Sequence, residues 1–432
     1  MTSNAAPERA RRGSATLASL SVRNYRLYFF GQMVSLSGTW MQGIAQAWLV
    51  LRITGSGTAL GVVSALAFLP VLVFGPWGGV IADRFPKRRV LVITQVCSAF
   101  FALVLGLLVA TDRVRLWEVY VLASALGFVN VVDMPTRQTF VLEMVGRDQL
   151  TNAVSVNTVM VNVARIIGPA LAGVLIATVG LGTCFLLNAA SFGAMIVALV
   201  LMHADDLEPA PPQPRSPGQL REGFRYVRRT PELLAPLLMM AVIGTLAFEF
   251  QVILPLVARF TFHGDAGTYG WMSTSMGAGA VVGGLLVASR GRHAPTALGK
   301  AAIVFGAVIV VAAIAPNLAT EMGALVLVGG TSVVFLALGN ATLQLAAAPA
   351  MRGRVMSLWT VAFVGSTPIG GPIVGWVGEH AGPRWGLVLG GVATMLAGAL
   401  TYRSLCAIER DQAEAPEPEL LSGPRESLAE RG

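Results

Sequence analysis

The sequence predicts an all-α integral membrane protein with twelve transmembrane helices in two pseudo-symmetric bundles of six. Apolar residues make up 54% of its 432 residues and charged residues only 12%, about half the roughly 25% usual in soluble domains. A hydrocarbon core about 30 Å thick requires roughly 20 apolar residues per helix. Successive apolar segments of that length lie at 26–51, 58–82, 89–111, 117–142, 152–179, 182–202, 233–258, 268–289, 296–316, 321–345, 355–378 and 384–407.

Two internal echoes indicate that the halves arose by duplication. The run 78–84 resembles the run 283–290, which begins 205 residues later, although the second copy has lost the acid. The run 168–173 resembles 371–375, which begins 203 residues later. Close helix packing explains one glycine-rich echo by itself, whereas two echoes at nearly one offset favour duplication. We therefore expect residues 23–202 and 233–407 to form two six-helix bundles.

The segment between the bundles, residues 203–232, is too polar to span a membrane and contains five prolines between 209 and 217. We expect a cytoplasmic linker with a basic amphipathic helix that has Leu220, Phe224 and Val227 on one face. Such a face fits anionic lipid, and a solvated helix is the alternative. Residues 1–22 are expected to form a cytoplasmic tail, and residues 408–432, rich in Glu and Pro, a disordered one.

The formal charge of +8 is interpreted as a signal of topology and not of nucleic-acid binding, because the basic residues are unevenly distributed between the two sides. With the amino terminus inside, most of the 31 Lys and Arg residues lie on the cytoplasmic side. The exceptions are Arg165, inside a span, and the external Arg52, Arg113, Arg115, Arg259 and Arg384. Both termini are therefore predicted to be cytoplasmic.

A glycine, an acid and a basic cluster follow one another at the end of the second span. The residues are Gly79, Asp83, Arg84, Lys87 and Arg88. A carboxylate at a helix end accepts hydrogen bonds from a neighbouring helix amino terminus and pairs with nearby cations. We expect a conformational lock, and the alternative is that the basic cluster only fixes topology. The run resembles the signature loop of the major facilitator superfamily, G-x-L-A-D-R-x-G-R-R/K, with Ile81 for Leu and Pro86 for the second Gly.

Polar residues recur at steps of three and four along the first span, which places them on one helical face. This face consists of Gln32, Ser35, Thr39, Gln42 and Gln46. The fifth span has a similar face that includes Thr158 and Asn162, and the fourth span contributes Asn130. We expect these side chains to line an aqueous cavity that binds a substrate. Hydrogen bonding between neighbouring helices is the alternative.

Three charged residues inside the spans are candidates for proton coupling, because an unpaired charge in the membrane is costly and usually functional. Arg165 lies roughly 20 Å into the fifth span at 1.5 Å per residue, and Asp133 lies at a comparable depth in the fourth. We expect these two to pair, either statically or as part of the coupling. Glu249 in the seventh span is flanked by two phenylalanines, and a carboxyl group in apolar surroundings holds its proton more tightly. The alternative is that the carboxyl group of Glu249 faces external water.

The fifth span also contains Gly168, Pro169 and Gly173, where we expect a kink or a close helix contact. This segment resembles the fifth-helix motif of antiporter members of the superfamily. Longer runs, at 133–138, 162–169, 220–229 and 352–355, are similar to one group within it, the transmembrane secretion effectors. That group includes enterobactin exporters and macrolide efflux proteins. The similarity extends from about Leu20 to Ala407.

This resemblance implies a monomeric, proton-coupled exporter in the bacterial cytoplasmic membrane that works by alternating access. Its substrate would be a small amphiphilic molecule, such as a siderophore, an antibiotic or another drug-like metabolite. A major facilitator importer, a channel and a non-transporting membrane scaffold are the alternatives.

Motifs of other functional classes are missing from the sequence. Gly299-Lys300 is followed by Ala301, so no G-x-x-x-x-G-K-S/T loop supports ATP-driven transport. H-E-x-x-H and G-x-S-x-G are also missing, the four histidines are scattered, and the three cysteines fall in apolar spans. We therefore expect neither an enzyme nor a site for a metal or a cofactor.

Overall fold

The computed structural model describes residues 17–208, 219–288, 296–349 and 351–414, and the regular structure of these residues is helical throughout, as the sequence predicts. After a 3-10 helix at Ala18–Ser21, the first half contains α1 (Arg23–Thr54), α2 (Gly57–Arg84), α3 (Lys87–Ala110), α4 (Leu116–Val179) and α5 (Leu181–Val200). The second part contains α6 (Gln219–Arg228), α7 (Pro231–Leu246), α8 (Phe250–Leu256), a π-helical turn (Val257–Thr261), α9 (Ala266–Ala288), α10 (Ala297–Ala313), α11 (Leu318–Ala346), α12 (Arg352–Val364), α13 (Thr367–His380) and α14 (Pro383–Glu414).

Nine helical stretches among the described residues are long and apolar enough to cross a membrane. α1 and α10 are not among these nine stretches: α1 has 32 residues that include buried polar side chains, and α10 has only 17 residues. α4 has 64 residues, about 96 Å at 1.5 Å per residue, which is enough for two crossings. It is broken at Gly146 (φ 67°, ψ 179°), a conformation that glycine adopts without steric cost. The fourth and fifth predicted spans are its first arm, 116–145, and its second arm, 147–179.

Successive membrane spans alternate in direction, so their ends lie at two levels. At the level called here the linker end, α2 turns into α3 at Phe85–Pro86, and Asn24 at the start of α1 donates a 2.9 Å hydrogen bond to the carbonyl of His203. At the opposite level, the distal end, Arg52 of α1 pairs with Asp112 after α3 at 3.5 Å.

Equivalent helices pack together in the two halves of the chain. In the first half α3 packs on α5 and α2 packs on α4, and in the second half α10 packs on α14 and α9 packs on α11. Gly78 lies against the carbonyl of Val131 across α2 and α4, and Gly283 lies against the carbonyl of Gly330 across α9 and α11. This shared packing supports the duplication that the sequence echoes predict.

The two halves meet along two glycine-rich helix pairs. In the first pair, Gly57 and Gly61 of α2 lie against the carbonyls of Gly375 and Gly371 of α13. A Cβ atom at Gly61 would overlap the carbonyl oxygen of Gly371, so only glycine allows the two backbones to approach this closely. These contacts lie near the start of α2 and in the first half and middle of α13, which is the distal part of the eleventh span.

The second pair consists of the second arm of α4 and α9. A Cβ atom at Gly270 of α9 would lie 2.8 Å from the carbonyl oxygen of Pro169, and Gly173 lies against Gly267 and Gly270. Gly168 packs on the other side against Trp40 of α1. The helix stays helical through Pro169, and this segment forms the close helix contact that the sequence predicts as one of two alternatives.

The boundaries of the two tails differ from those that the sequence predicts. Within the predicted tail 1–22, Ser19 is buried and its backbone N–H donates a 2.9 Å hydrogen bond to Oδ1 of Asn152. α14 continues to Glu414, past the predicted end at 407, because residues 408–414 are mostly good helix formers. The disordered tail predicted from 408 therefore begins as helix. The parts predicted at 1–16, 209–218 and 415–432 lie outside the described residues.

The predicted linker helix is present as α6, but it packs on protein. Val227 is buried against Leu233 of α7 and Val355 of α12. Glu222 pairs with Arg354 at 2.7 Å. The expectation that Val227 faces lipid is wrong, because α7, α11 and α12 cover it. Lipid contact stays a prediction for Phe224, which is exposed.

Candidate functional site

A buried ion pair lies inside the first half, on α4. Asp133 and Arg137 are one helical turn apart, and their side chains form a salt bridge. Positions i and i+4 share a helix face, which lets both side chains point inward from the same helix. Asp133 is only 7% exposed, and a charge buried this far requires a partner of opposite sign.

Neutral side chains of two other helices complete the surroundings of this pair. Thr94 and Gln95 of α3 donate hydrogen bonds of 2.6 Å and 3.1 Å to Oδ1 of Asp133. Arg137 donates a hydrogen bond to Oε1 of Gln32 on α1. We call Asp133, Arg137, Thr94, Gln95 and Gln32 the Asp133 cluster. Because its bonds join α1, α3 and α4, a change of charge on Asp133 acts on all three helices.

The expected pair between Asp133 and Arg165 is wrong. Arg137 already neutralises Asp133 from one turn away, whereas Arg165 belongs to the second arm of α4, beyond the break at Gly146. The guanidinium of Arg165 lies over the ring of Trp40, 5.1 Å from its centroid. Its Nε is buried and has no hydrogen-bond partner in the part of the chain that the structure describes. Sequence reasoning assigned Arg137 to topology and missed its pairing, although the i, i+4 spacing indicates it.

The polar face predicted on α1 is divided between two environments. Gln32, Ser35 and Gln42 are buried and hydrogen-bond to neighbouring helices, as when Asn188 of α5 donates a 2.7 Å bond to Oε1 of Gln42. The remaining cavity candidates are at least partly exposed: Thr39, Gln46, Asn130, Thr158 and Asn162. The first three residues therefore hold the bundle together, and lining a cavity stays a prediction for the exposed group.

Glu249 lies where the helical path of the seventh span is interrupted between Leu246 and Phe250. Its side chain is 4% exposed, so the alternative of an acid facing external water is wrong. Oε1 has no hydrogen-bond partner among the described residues. The carboxyl group borders a small cavity of about 10 Å³ with Ile309 and Leu387, about the minimum space for one water molecule.

The break beside Glu249 lies next to a second one. The eleventh span is interrupted at Gly365–Ser366, between α12 and α13. Gly244 of α7 packs against Ser366, and Gly370 of α13 packs against the carbonyl of Thr245. Two interrupted helices therefore contact one another at the level of a buried acid.

The predicted lock residues lie at the turn between α2 and α3. Lys87 forms a buried ion pair with Glu143 of α4, and Arg88 donates to the carbonyls of Leu199 and Val200 at 2.6 Å and 2.8 Å. These two side chains therefore hold helices of the first half together. Sequence reasoning missed Glu143, which follows directly after the predicted span 117–142.

The remaining lock residues occupy the end of α2. Gly79 is buried, Asp83 half-buried and Arg84 exposed. Pro86, the departure from the signature loop, is the N-cap of α3, and its carbonyl accepts the first hydrogen bonds of that helix from Arg89 and Val90. A proline fits there because the missing N–H is not needed at a helix start.

A further acid that sequence reasoning missed connects the halves at the distal end. Oε2 of Glu379, near the end of α13, accepts hydrogen bonds from Oγ of Ser56 (2.7 Å), the backbone N–H of Thr58 (2.9 Å) and Oγ1 of Thr58 (2.6 Å). Arg259 of the π-helical turn also reaches across, to the carbonyl of Leu51 at 2.5 Å. The distal end is therefore closed by polar contacts as well as by glycine packing.

Two equivalent helical halves, joined along glycine-rich helix pairs and carrying buried charges within membrane-length helices, define a multi-pass membrane transporter of the major facilitator fold. The sequence model of the transmembrane secretion effectors matches residues 14–427. The chain belongs to this family, which confirms the resemblance found in its sequence motifs.

Similar proteins include named efflux systems. The chain is 28% identical to a multidrug efflux pump of Mycolicibacterium fortuitum, over 82% of its own length and 90% of that pump. It is 26% identical to the enterobactin exporter of Citrobacter koseri, over 91% of its own length and 95% of that exporter. A bacterial homologue of the human lysosomal transporter spinster, solved in an inward-facing and unoccupied conformation, has the same fold. Its TM-score is 0.71 at 13% identity, covering 90% of this chain and 98% of that one.

Proposed function

We propose that this protein exports a small amphiphilic molecule, of the siderophore, antibiotic or drug-like class, in exchange for protons. The Asp133 cluster carries the proposal, because a carboxylate buried inside the membrane-spanning helices is a group that can bind and release a proton there. Two relatives, a multidrug efflux pump and an enterobactin exporter, support export over import.

Protonation of Asp133 would change the contacts between helices. The carboxylate now attracts Arg137 and accepts from Thr94 and Gln95. A bound proton removes the negative charge, so Arg137 loses its counter-charge while its hydrogen bond to Gln32 on α1 remains. Binding of one proton therefore weakens the link inside α4 and leaves the link to α1. Glu249, buried at the interrupted helices, is the second candidate for a proton carrier.

Alternating access follows from where the halves touch. The contacts between α2 and α13 lie toward the distal end, which corresponds to a state that opens at the linker end. In the opposite state the distal contacts separate and the loop with Gly79, Asp83 and Arg84 closes the linker end. The excess of basic residues supports a cytoplasmic linker end, with both termini inside the bacterial cytoplasmic membrane.

The substrate would bind between the halves, beside Arg165 and Trp40. The carbonyl of Arg165 lies against Gly277 of α9, so this residue sits at the boundary between the halves. Its guanidinium has no carboxylate partner among the described residues, and an aromatic ring flanks it. An acidic or aromatic group of a substrate finds a partner there, and Thr158 and Asn162 lie on the same arm of α4.

One chain supplies both halves of this site, which supports a monomer. The proposal requires a small-molecule substrate, protons and the surrounding lipid, and it requires no cofactor, metal, nucleic acid or enzymatic step.

Transport driven by a proton gradient in inverted membrane vesicles tests the proposal. A panel of siderophores, macrolides and amphiphilic dyes is offered with and without a protonophore. We expect protonophore-sensitive uptake of at least one compound, lost in Asp133→Asn and kept in the control Asp112→Asn, which changes an exposed acid at the distal end. Uptake that is unchanged when the protonophore is added would refute proton coupling. Ion conductance in place of substrate uptake would indicate a channel.

A further inference from the structure

Two grooves on the outer surface of the protein correspond to one another in the two halves. The first-half groove lies between α2, α3 and α4 and has a volume of about 740 Å³; its lining includes Ile81, Phe85, Arg89, Ile93, Phe101 and Phe128. The second-half groove lies between α9, α10 and α11 and has a volume of about 400 Å³; its lining includes Val282, Leu286, Lys300, Val304, Val326 and Leu327. Both volumes fall in the range of roughly 300–1,000 Å³ that small-molecule sites occupy.

The grooves are formed by equivalent packing. The second and fourth spans of each half approach closely through glycines, at Gly78 and Val131 in the first half and at Gly279 and Val326 in the second. The third span packs on the fourth but makes few contacts with the second, which leaves an open groove beside the glycine contact. Because the groove is present in both halves of a duplicated fold, it is a property of the repeated unit and is not peculiar to one half.

The walls of both grooves are apolar and accessible. In the first-half groove, Phe85, Ile93 and Phe128 are each more than half exposed, and in the second-half groove Val304 and Leu327 are as well. An exposed apolar surface on membrane-spanning helices is suited to contact with lipid acyl chains.

Among the lining residues that the structure describes, each groove has one charged side chain, and it is a cation in both cases. Among the described lining residues, Arg89 is the only charged one in the first-half groove and Lys300 the only one in the second. Arg89 lies in the first turn of α3 and Lys300 in the first turn of α10, so both mark the linker end. Both are exposed, and Lys300 lies over the ring of Tyr402, 5.5 Å from its centroid.

The length of the first-half groove matches one leaflet of a bilayer. Arg89 and Phe101 are twelve residues apart on α3, about 18 Å at 1.5 Å per residue. Half of a hydrocarbon core about 30 Å thick is about 15 Å. A molecule that holds an anionic group at Arg89 and extends an apolar chain to Phe101 therefore spans the leaflet on the linker side.

We propose that each groove binds an anionic phospholipid of the leaflet on the linker side, with one acyl chain in the groove and the phosphate on Arg89 or Lys300. The negative headgroup complements the single cation, and no acid among the described lining residues offers a partner to the ammonium of a zwitterionic lipid. Thr94 also lines the first-half groove and donates to Asp133, so a lipid there packs against the Asp133 cluster. The proposal does not depend on the transported substrate.

Native mass spectrometry of the full-length protein in detergent tests this directly. Dioleoyl phosphatidylglycerol and dioleoyl phosphatidylcholine, which share their acyl chains, are titrated separately. We expect two phosphatidylglycerol molecules to be retained in preference to phosphatidylcholine. Arg89→Gln and Lys300→Gln should each weaken one binding event about fivefold, the effect of one cation near a lipid surface, and the double variant should weaken both. The control Arg26→Gln removes an exposed cation at the linker end, outside both grooves, and should match the wild type.

Filling the groove separates acyl-chain binding from charge attraction alone. Ile93 is 62% exposed, so Ile93→Trp fits without disturbing the core and occupies the first-half groove while Arg89 remains. It should remove one bound lipid. Equal retention of the two lipids, unchanged binding in the double variant, or unchanged binding in Ile93→Trp would each overturn the proposal.

Discussion

Glu379 of α13 holds Thr58 of α2 through two hydrogen bonds, to the backbone N–H at 2.9 Å and to the hydroxyl at 2.6 Å. The two residues belong to opposite halves and lie at the distal end. A carboxylate at the first turn of α2 is also stabilised by the partial positive charge of the helix amino terminus. Glu379 therefore forms, at the distal end, a contact of the kind that the sequence predicts for Asp83 at the linker end.

Removing the charge of Glu379 should favour separation at the distal end. In Glu379→Gln the bonds from Ser56 and Thr58 lose their charged acceptor, and about 1 kcal/mol of lost stabilisation shifts the equilibrium roughly fivefold. Spin labels are placed at positions 113 and 385 in a variant without native cysteines. The distribution of distances between them should gain a population at longer distance. Glu118→Gln changes an acid that caps α4 within its own half, and should leave the distances unchanged.

A side chain at Gly61 should have the same effect by a steric route. A Cβ atom there would overlap the carbonyl of Gly371, so Gly61→Ala cannot keep the two backbones in contact. We expect the same spin-label pair to report a longer distance. Gly43→Ala is the matched control, because no atom lies within 4 Å of its added Cβ. An unchanged distance in Gly61→Ala would show that the helices adjust without separating.

The buried pair of Lys87 and Glu143 should contribute to stability. Lys87→Met leaves the carboxylate of Glu143 buried without its cation, which costs about 3–5 kcal/mol, whereas Lys87→Met combined with Glu143→Leu should recover most of the loss. Unfolding in mixed SDS and detergent micelles measures this. The control Arg84→Met removes an exposed cation three residues earlier. A Lys87→Met protein as stable as the wild type would mean that Glu143 is solvated.

Arg137 and Arg165, which lie on the two arms of α4, should respond differently to the same substitution. Arg137→Gln leaves Asp133 without its counter-charge, so we expect a loss of about 3–5 kcal/mol. Arg165 has no carboxylate partner among the described residues, and Arg165→Gln should change stability by less than about 1 kcal/mol while it reduces transport. The same unfolding measurement compares them. Equal losses in both variants would reveal a carboxylate partner of Arg165.

The sequence was sufficient to predict those features that each helix determines by itself. The helical class and the position of α6 follow from hydropathy and periodicity, which are properties of the local chain. The choice of partner does not, because it depends on how helices are rotated about their axes. Asp133 was therefore assigned to Arg165 by depth alone, although Arg137 on its own helix was closer. Glu379 was missed for the same reason, since its partners are more than 300 residues away in the chain.

The spacing of the glycines along α2 and α13 restricts the relative motion of the halves. Gly57 faces Gly375 and Gly61 faces Gly371, one turn apart on antiparallel helices. Sliding the helices by one turn would place Gly61 against Thr367, or Gly57 against Glu379 in the other direction. Both registers introduce a side chain where the backbones touch. Translation along this contact is therefore blocked while the helices touch, so a movement that opens the distal end is a rotation of the halves and not a slide of one helix along the other.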